Sequence, residues 1–300
     1  MGALTGILVL LGALALPVAV LALTVRDQRS WRRRKSARPR TQPQVRAAPA
    51  PLPPPPPRYP LSADRREWIE ASMARLVAEF GLKAARRPVA LPTPDFFPDP
   101  LTGTRRELRA LLKQVCRVMG ADPWFLVIRP FSGPRMRESP YGQGLVRNLG
   151  VYRRVGEFGI VELDRTLAAA PTFLAGVIAH ELAHARLIGE GRVGAEERER
   201  EGLRHERLTD LLVIFLGMGV FGATTLRAED PVVGYLSRAE FGYALACHAQ
   251  LRGETDPDWA VHLDPSMRDH LRRALDFRAH AALPPTTGGH AAPPARPPGG

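Results

Sequence analysis

Five consecutive residues, His180-Glu181-Leu182-Ala183-His184, carry the strongest chemical signal in this chain. Two histidines four positions apart on a helix stand one above the other on the same face, so both imidazoles can reach one metal ion. Glu181 sits beside the first, on the same rim, where it can hold a water against that metal. Two nitrogen ligands with a carboxylate base beside them are what zinc-dependent hydrolysis needs. With 8 His in 300 residues, this spacing seldom arises by chance. The alternative is a helix whose two histidines are satisfied by polar groups of the core.

A catalytic zinc site takes three protein ligands and leaves one position open. Downstream lies an acidic run, Glu196-Glu197-Arg198-Glu199-Arg200-Glu201, and then His205-Glu206-Arg207-Leu208-Thr209-Asp210. The first run alternates charges without apolar neighbours and reads as a solvated helix face. Glu206 and Asp210 are spaced i, i+4 and share a helix face. Glu206 is the expected third metal ligand. Asp210, one turn on, is placed to accept the free ring N–H of a ligand histidine and fix its tautomer. His205 is the rival ligand. It lies about 100° around the helix from Glu206, so one of the two faces the metal. Glu206 is preferred because Asp210 supports it.

His180-Glu181-x-x-His184 followed by Glu206-x-x-x-Asp210 resembles the gluzincin metallopeptidases, the thermolysin-like group, over roughly residues 159–221. That resemblance implies a zincin-like fold, Zn²⁺ as cofactor and peptide hydrolysis. It also implies Glu181 as general base, His180, His184 and Glu206 as ligands, and Asp210 supporting them. Its motifs are specific for a metal site and silent about substrate. The chain departs from the group in showing no transition-state His or Tyr at a familiar spacing; Tyr235 and Tyr243 are candidates that equally suit a core. The remainder is similar to uncharacterised bacterial membrane-anchored proteins that carry this motif.

The elements that must position these residues follow from hydrophobic periodicity. An apolar helix from about Thr172 to Ile188 holds the histidine pair. A helix is expected over Ser62–Phe80. Residues 88–100, with prolines at 88, 92, 94, 98 and 100, read as a loop that Phe96 and Phe97 pin to the body. Thr104-Arg105-Arg106-Glu107 is a capping box that opens a helix ending at Gly120. Trp124–Ile128 reads as a strand, 130–144 as a loop, and 146–155 and 158–163 as two strands around Gly156-Glu157. Phe158–Leu163 reads either as a core strand or as the edge strand along which an extended substrate peptide pairs. Leu211–Ala223 is an apolar run of 13 residues, a length that suits a buried helix better than a membrane span. Helices over Ser237–Arg252 and Pro265–His280 complete an α+β layout, a small sheet packed against the active-site helix with a mostly helical C-terminal half. Cys116 and Cys247 are far apart, without metal-type spacing, and suit a core. His290 has no partner nearby in the sequence. There is no internal repeat, P-loop or dinucleotide-binding glycine pattern.

The net charge of +12 is unevenly spread. Residues 26–46 hold nine Lys/Arg and one Asp, and the remaining 33 Lys/Arg and 29 Asp/Glu nearly cancel. That distribution argues against a specific nucleic-acid partner. Residues 1–25 carry no charge and are long enough for one transmembrane helix. The basic cluster after them predicts an outside N-terminus and a cytoplasmic domain at a bacterial membrane, with the cluster on anionic head groups. The expected organisation is therefore an anchor at 1–25, a basic then Pro-rich linker at 26–60, a zincin-like metallopeptidase domain at 61–283 and a disordered Pro/Gly tail at 284–300. The expected function is a membrane-anchored zinc peptidase acting on a peptide or protein. The competing class is a catalytically inactive zincin-fold scaffold or binding module.

Overall fold

Helix boundaries in this chain follow local capping chemistry. The computed structural model describes residues 57–281 apart from 98–99, 134, 139–143 and 227–234. Helix α1 (Ala63–Phe80) starts at Ser62, whose hydroxyl accepts from Arg65 N, and buries Ile69, Met73 and Leu76. A single turn, α2 (Leu82–Ala85), follows. Helix α3 (Arg105–Met119) opens with the expected capping box: Glu107 N donates to Thr104 Oγ1 at 3.3 Å and Thr104 N donates to Glu107 Oε2 at 3.1 Å. Gly120 closes it in the left-handed conformation that glycine adopts at least cost.

Strands β1 (Leu126–Phe131), β2 (Arg135–Glu138), β3 (Leu145–Asn148), β4 (Gly150–Val155) and β5 (Phe158–Asp164) form two sheets. The larger has the order β1-β5-β4, with β1 parallel and β4 antiparallel to β5. Leu126, Ile128, Val161 and Leu163 bury one face of it in the same core as Leu174, Val177 and Ile178. Four sequence expectations change here. The strand expected from Trp124 begins at Leu126, because Asp122 accepts from Trp124 N at 2.8 Å and caps a 3₁₀ turn over Pro123–Phe125. The expected loop at 130–144 contains β2, paired with β3 as an antiparallel ribbon. The single strand expected over 146–155 breaks at buried Leu149, which sends β3 to the ribbon and β4 to the main sheet. Phe158–Leu163 is not an edge: β5 is paired on both sides, and β4 is the edge strand facing the histidine helix.

Beyond the sheet lie α4 (Pro171–His184), α5 (Ala195–Glu201), α6 (Leu203–Val213), α7 (Gly219–Ala223), α8 (Arg238–Arg252) and α9 (Pro265–Ala281). The apolar run 211–223 is buried as expected, yet it is not one helix. A wide π turn over Ile214–Met218 contains Gly217 at φ 85°. A Cβ at Gly217 would lie 3.1 Å from Pro88 O, and Gly217 O accepts from Ala90 N at 2.9 Å. The bend therefore seats the proline-rich loop. Ser237 and Glu240 form a second capping box, at the start of α8.

The described part is α+β with a small sheet and a mostly helical C-terminal half. Among the described residues no helix is long and apolar enough to cross a membrane, and this overturns the expected single-pass membrane placement with a cytoplasmic domain. The expected anchor at 1–25, nearly all of the linker at 26–60 and the tail at 284–300 lie outside the described residues.

Candidate metal centre

Helix α4 is buried all round. Every residue from Phe173 to Ala183 lies in the interior, including His180 and Glu181, which marks a rigid core helix rather than a surface amphipath. Pro171 at its first turn costs no hydrogen bond, since that N–H would have no helical partner. Gly176 lets α7 approach: a Cβ there would stand 2.6 Å from Phe221 O. The helix runs into a π turn over Ala185–Gly189 directly after His184.

The third expected ligand arrives from α6. Gly202, at φ 42°, turns the chain between α5 and α6, and its carbonyl accepts from His205 N and Glu206 N at 3.1 and 3.3 Å. This aims Glu206 at the histidine pair. Glu206 Oε2 is 3.3 Å from His180 Nε2 and 3.3 Å from His184 Nε2. One ligand atom from each of the three residues lies within 4.8 Å of the others. Donors bound to a tetrahedral ion at about 2.0–2.1 Å stand roughly 3.3–3.4 Å apart. The two carboxylate–imidazole separations match the edge of that tetrahedron, and two imidazole nitrogens with one carboxylate oxygen are donors that zinc accepts. The three residues could hold a divalent ion.

Asp210 sits where the spacing put it. His180 Nδ1–H donates to Asp210 Oδ1 at 2.9 Å, leaving Nε2 toward Glu206. Asp210 Oδ2 accepts from Tyr235 N at 2.7 Å and Leu236 N at 3.2 Å, so one carboxylate ties α4, α6 and the start of α8 together. Burial, the largest influence on His180, pushes its pKa down, but hydrogen bonds to Asp210 and Glu206 and their charge overcome it and hold it near 10. For Glu206, burial pushes the pKa up, and the two histidines outweigh it and keep the group well below the ordinary carboxylate range.

His205, the rival ligand, does not join the triad. It is buried beside His184, with Nε2 3.3 Å from His184 Nδ1 and the rings stacked at 5.4 Å between centroids. Burial, with the neighbouring His184, pushes it down to about 4, so it is neutral at pH 7.

Glu181, one residue along from the first ligand, lines the same cleft as Glu206 and His184. The cleft has a volume of about 530 Å³ and its walls include Gly150, Val151 and Tyr152 of β4, Arg198 of α5 and Tyr235. The sequence offered no signal for the β4 residues, because a strand does not reveal which helix its edge will face. Of the two tyrosine candidates, Tyr235 stacks on His180 at 5.6 Å between centroids, while Tyr243 donates to Glu70 Oε1 at 2.6 Å, a partner on α1. Arg198 emerges from the expected solvated run, whose Glu197 pairs with Arg75 at 2.9 Å. Cys116 and Cys247 are core residues whose thiols burial pushes up to about 12, far from nucleophilic. His248 is likewise structural, its Nε2 donating to Ala85 O at 3.0 Å.

No model of a protein family matches the chain, and neither a curated protein nor a solved structure matches it.

Proposed function

We propose that this protein is a zinc-dependent peptidase. One observation carries the reading: Glu206 Oε2 stands 3.3 Å from both ligand nitrogens of a buried histidine pair, with a further carboxylate, Glu181, on the wall of the same open cleft. The resemblance of the two motifs to those of gluzincin metallopeptidases supports it.

His180, His184 and Glu206 would hold the ion. Bound there, a divalent cation supplies a Lewis acid that polarises a carbonyl and lowers the pKa of water. Glu181 accepts the proton of the attacking water and returns it to the leaving amine, the two halves of general acid–base catalysis. Asp210 keeps the proton of His180 on Nδ1 and so keeps Nε2 available. The edge of β4, unpaired among the described residues, pairs with an extended peptide through backbone hydrogen bonds, which tolerate varied side chains. Gly150 and Val151 bring that edge into the cleft beside Glu181.

The test is metal analysis and peptide hydrolysis on the full chain. Wild type should carry one zinc and cleave a broad peptide library. Glu206→Ala should lose the zinc, and Glu181→Gln should keep it while hydrolysis drops by about 10²–10⁴. A wild type without metal, or a Glu181→Gln variant as active as wild type, removes the reading.

A further inference from the structure

The two histidines of the pair are backed by different chemistry. Behind His180 stands the Asp210 carboxylate. Facing Nδ1 of His184 are His205 Nε2 at 3.3 Å and Thr209 Oγ1 at 3.5 Å. His184 Nε2 is the atom turned toward Glu206. A histidine that binds a metal through Nε2 carries its proton on Nδ1 and needs an acceptor there. Thr209 is the poorer acceptor by distance, which is at the limit for a hydrogen bond; its hydroxyl donates to His205 O at 3.0 Å and keeps its lone pairs for accepting. If His205 Nε2 accepts, the His205 proton sits on Nδ1. That nitrogen is buried and has no hydrogen-bond partner among the described residues. An orphaned buried N–H is costly; an apolar residue at 205 would avoid the cost. The reverse arrangement, His205 donating to His184, would put the His184 proton on Nε2 and remove it as a ligand.

We propose that His205 is a positioning residue of the metal centre, its Nε2 accepting from His184 Nδ1–H and holding His184 in the tautomer whose Nε2 faces Glu206. The inference rests on the metal-centre reading above. It gives His205 a role without making it a ligand, and it makes the backing of the pair asymmetric, a carboxylate behind His180 and an imidazole behind His184.

Two measurements on the full chain test this. In the zinc-loaded wild type, ring ¹⁵N NMR should show His205 protonated on Nδ1 and unprotonated on Nε2. A His205 protonated on Nε2, or ligated through it, overturns the proposal, and this readout needs no variant to fold. Zinc affinity by chelator competition is the second. His205→Phe keeps a ring and removes the acceptor, and should weaken zinc binding by roughly tenfold or more. His205→Asn, whose amide oxygen accepts, should recover most of that loss, and Thr209→Val should cost less than His205→Phe. Affinity unchanged in His205→Phe, or no better in His205→Asn than in His205→Phe, overturns the proposal. A wild type that binds no zinc sinks the metal-centre reading instead, a different result from either.

Discussion

Gly150, the first residue of β4, lies directly against the Glu181 side chain. A Cβ built on Gly150 would stand 3.1 Å from both Glu181 Cγ and Oε1, and 3.0 Å from Val177 Cγ1. The strand edge and the proposed base share a tight space in which an added methyl group would make the Glu181 side chain shift. Gly150→Ala should therefore displace Glu181 without touching the ligands. Because small misplacements of a catalytic group are costly, kcat should fall by about 10-fold to 100-fold at unchanged zinc content. Steady-state kinetics beside metal analysis check this, and full activity in Gly150→Ala would show that Glu181 is not held by that contact.

Asp210 holds His180 Nδ1 with one oxygen and the Tyr235 and Leu236 amides with the other. Asp210→Ala leaves both unpaired. Loss of such a partner typically weakens metal binding by about 10-fold to 100-fold. Competition with a chromophoric chelator measures it, and a dissociation constant equal to that of wild type would contradict the tautomer-fixing role.

Gly176 fixes how closely α4 approaches α7. A methyl group there would meet Phe221 O at 2.6 Å and Thr225 Cγ2 at 2.8 Å, and a backbone carbonyl cannot swing aside. Gly176→Ala should destabilise the protein by about 1–3 kcal/mol, the usual cost of overpacking a core. Denaturant unfolding reads this directly, and a midpoint equal to that of wild type would mean that the helices separate freely.

His248 links stability to pH. Burial, followed by the nearby Arg252 charge, pushes its pKa down to about 4, against about 6.5 in an unfolded chain. The unfolded state then binds the proton more tightly. The contribution is complete above pH 6.5 and disappears as pH falls toward 4, by on the order of 1 kcal/mol per pH unit. The stability difference between wild type and His248→Gln should shrink over that window, and the subtraction removes the effect of metal loss. A difference that stays constant from pH 7 to pH 5 would show that His248 is not buried as the neutral form.

The sequence by itself located the candidate ligands and their local supports. The i, i+4 histidines, the i, i+4 pair Glu206 and Asp210, and the capping box at Thr104–Glu107 were legible because helical periodicity and capping act within a few residues. The α+β class followed from the same periodicities. What the chain alone left undecided depends on contacts between distant segments. Pairing decided that β5 is central and that β1 and β4 are the edges, since strand order is set by partners far along the chain. The Gly217 bend exists because the Pro88–Ala90 loop fills the space beside it. The choice between Glu206 and His205 was a question of a helix's rotation about its axis, and only the packing of α6 against α4 turned Glu206 toward both Nε2 atoms and His205 toward the back of His184.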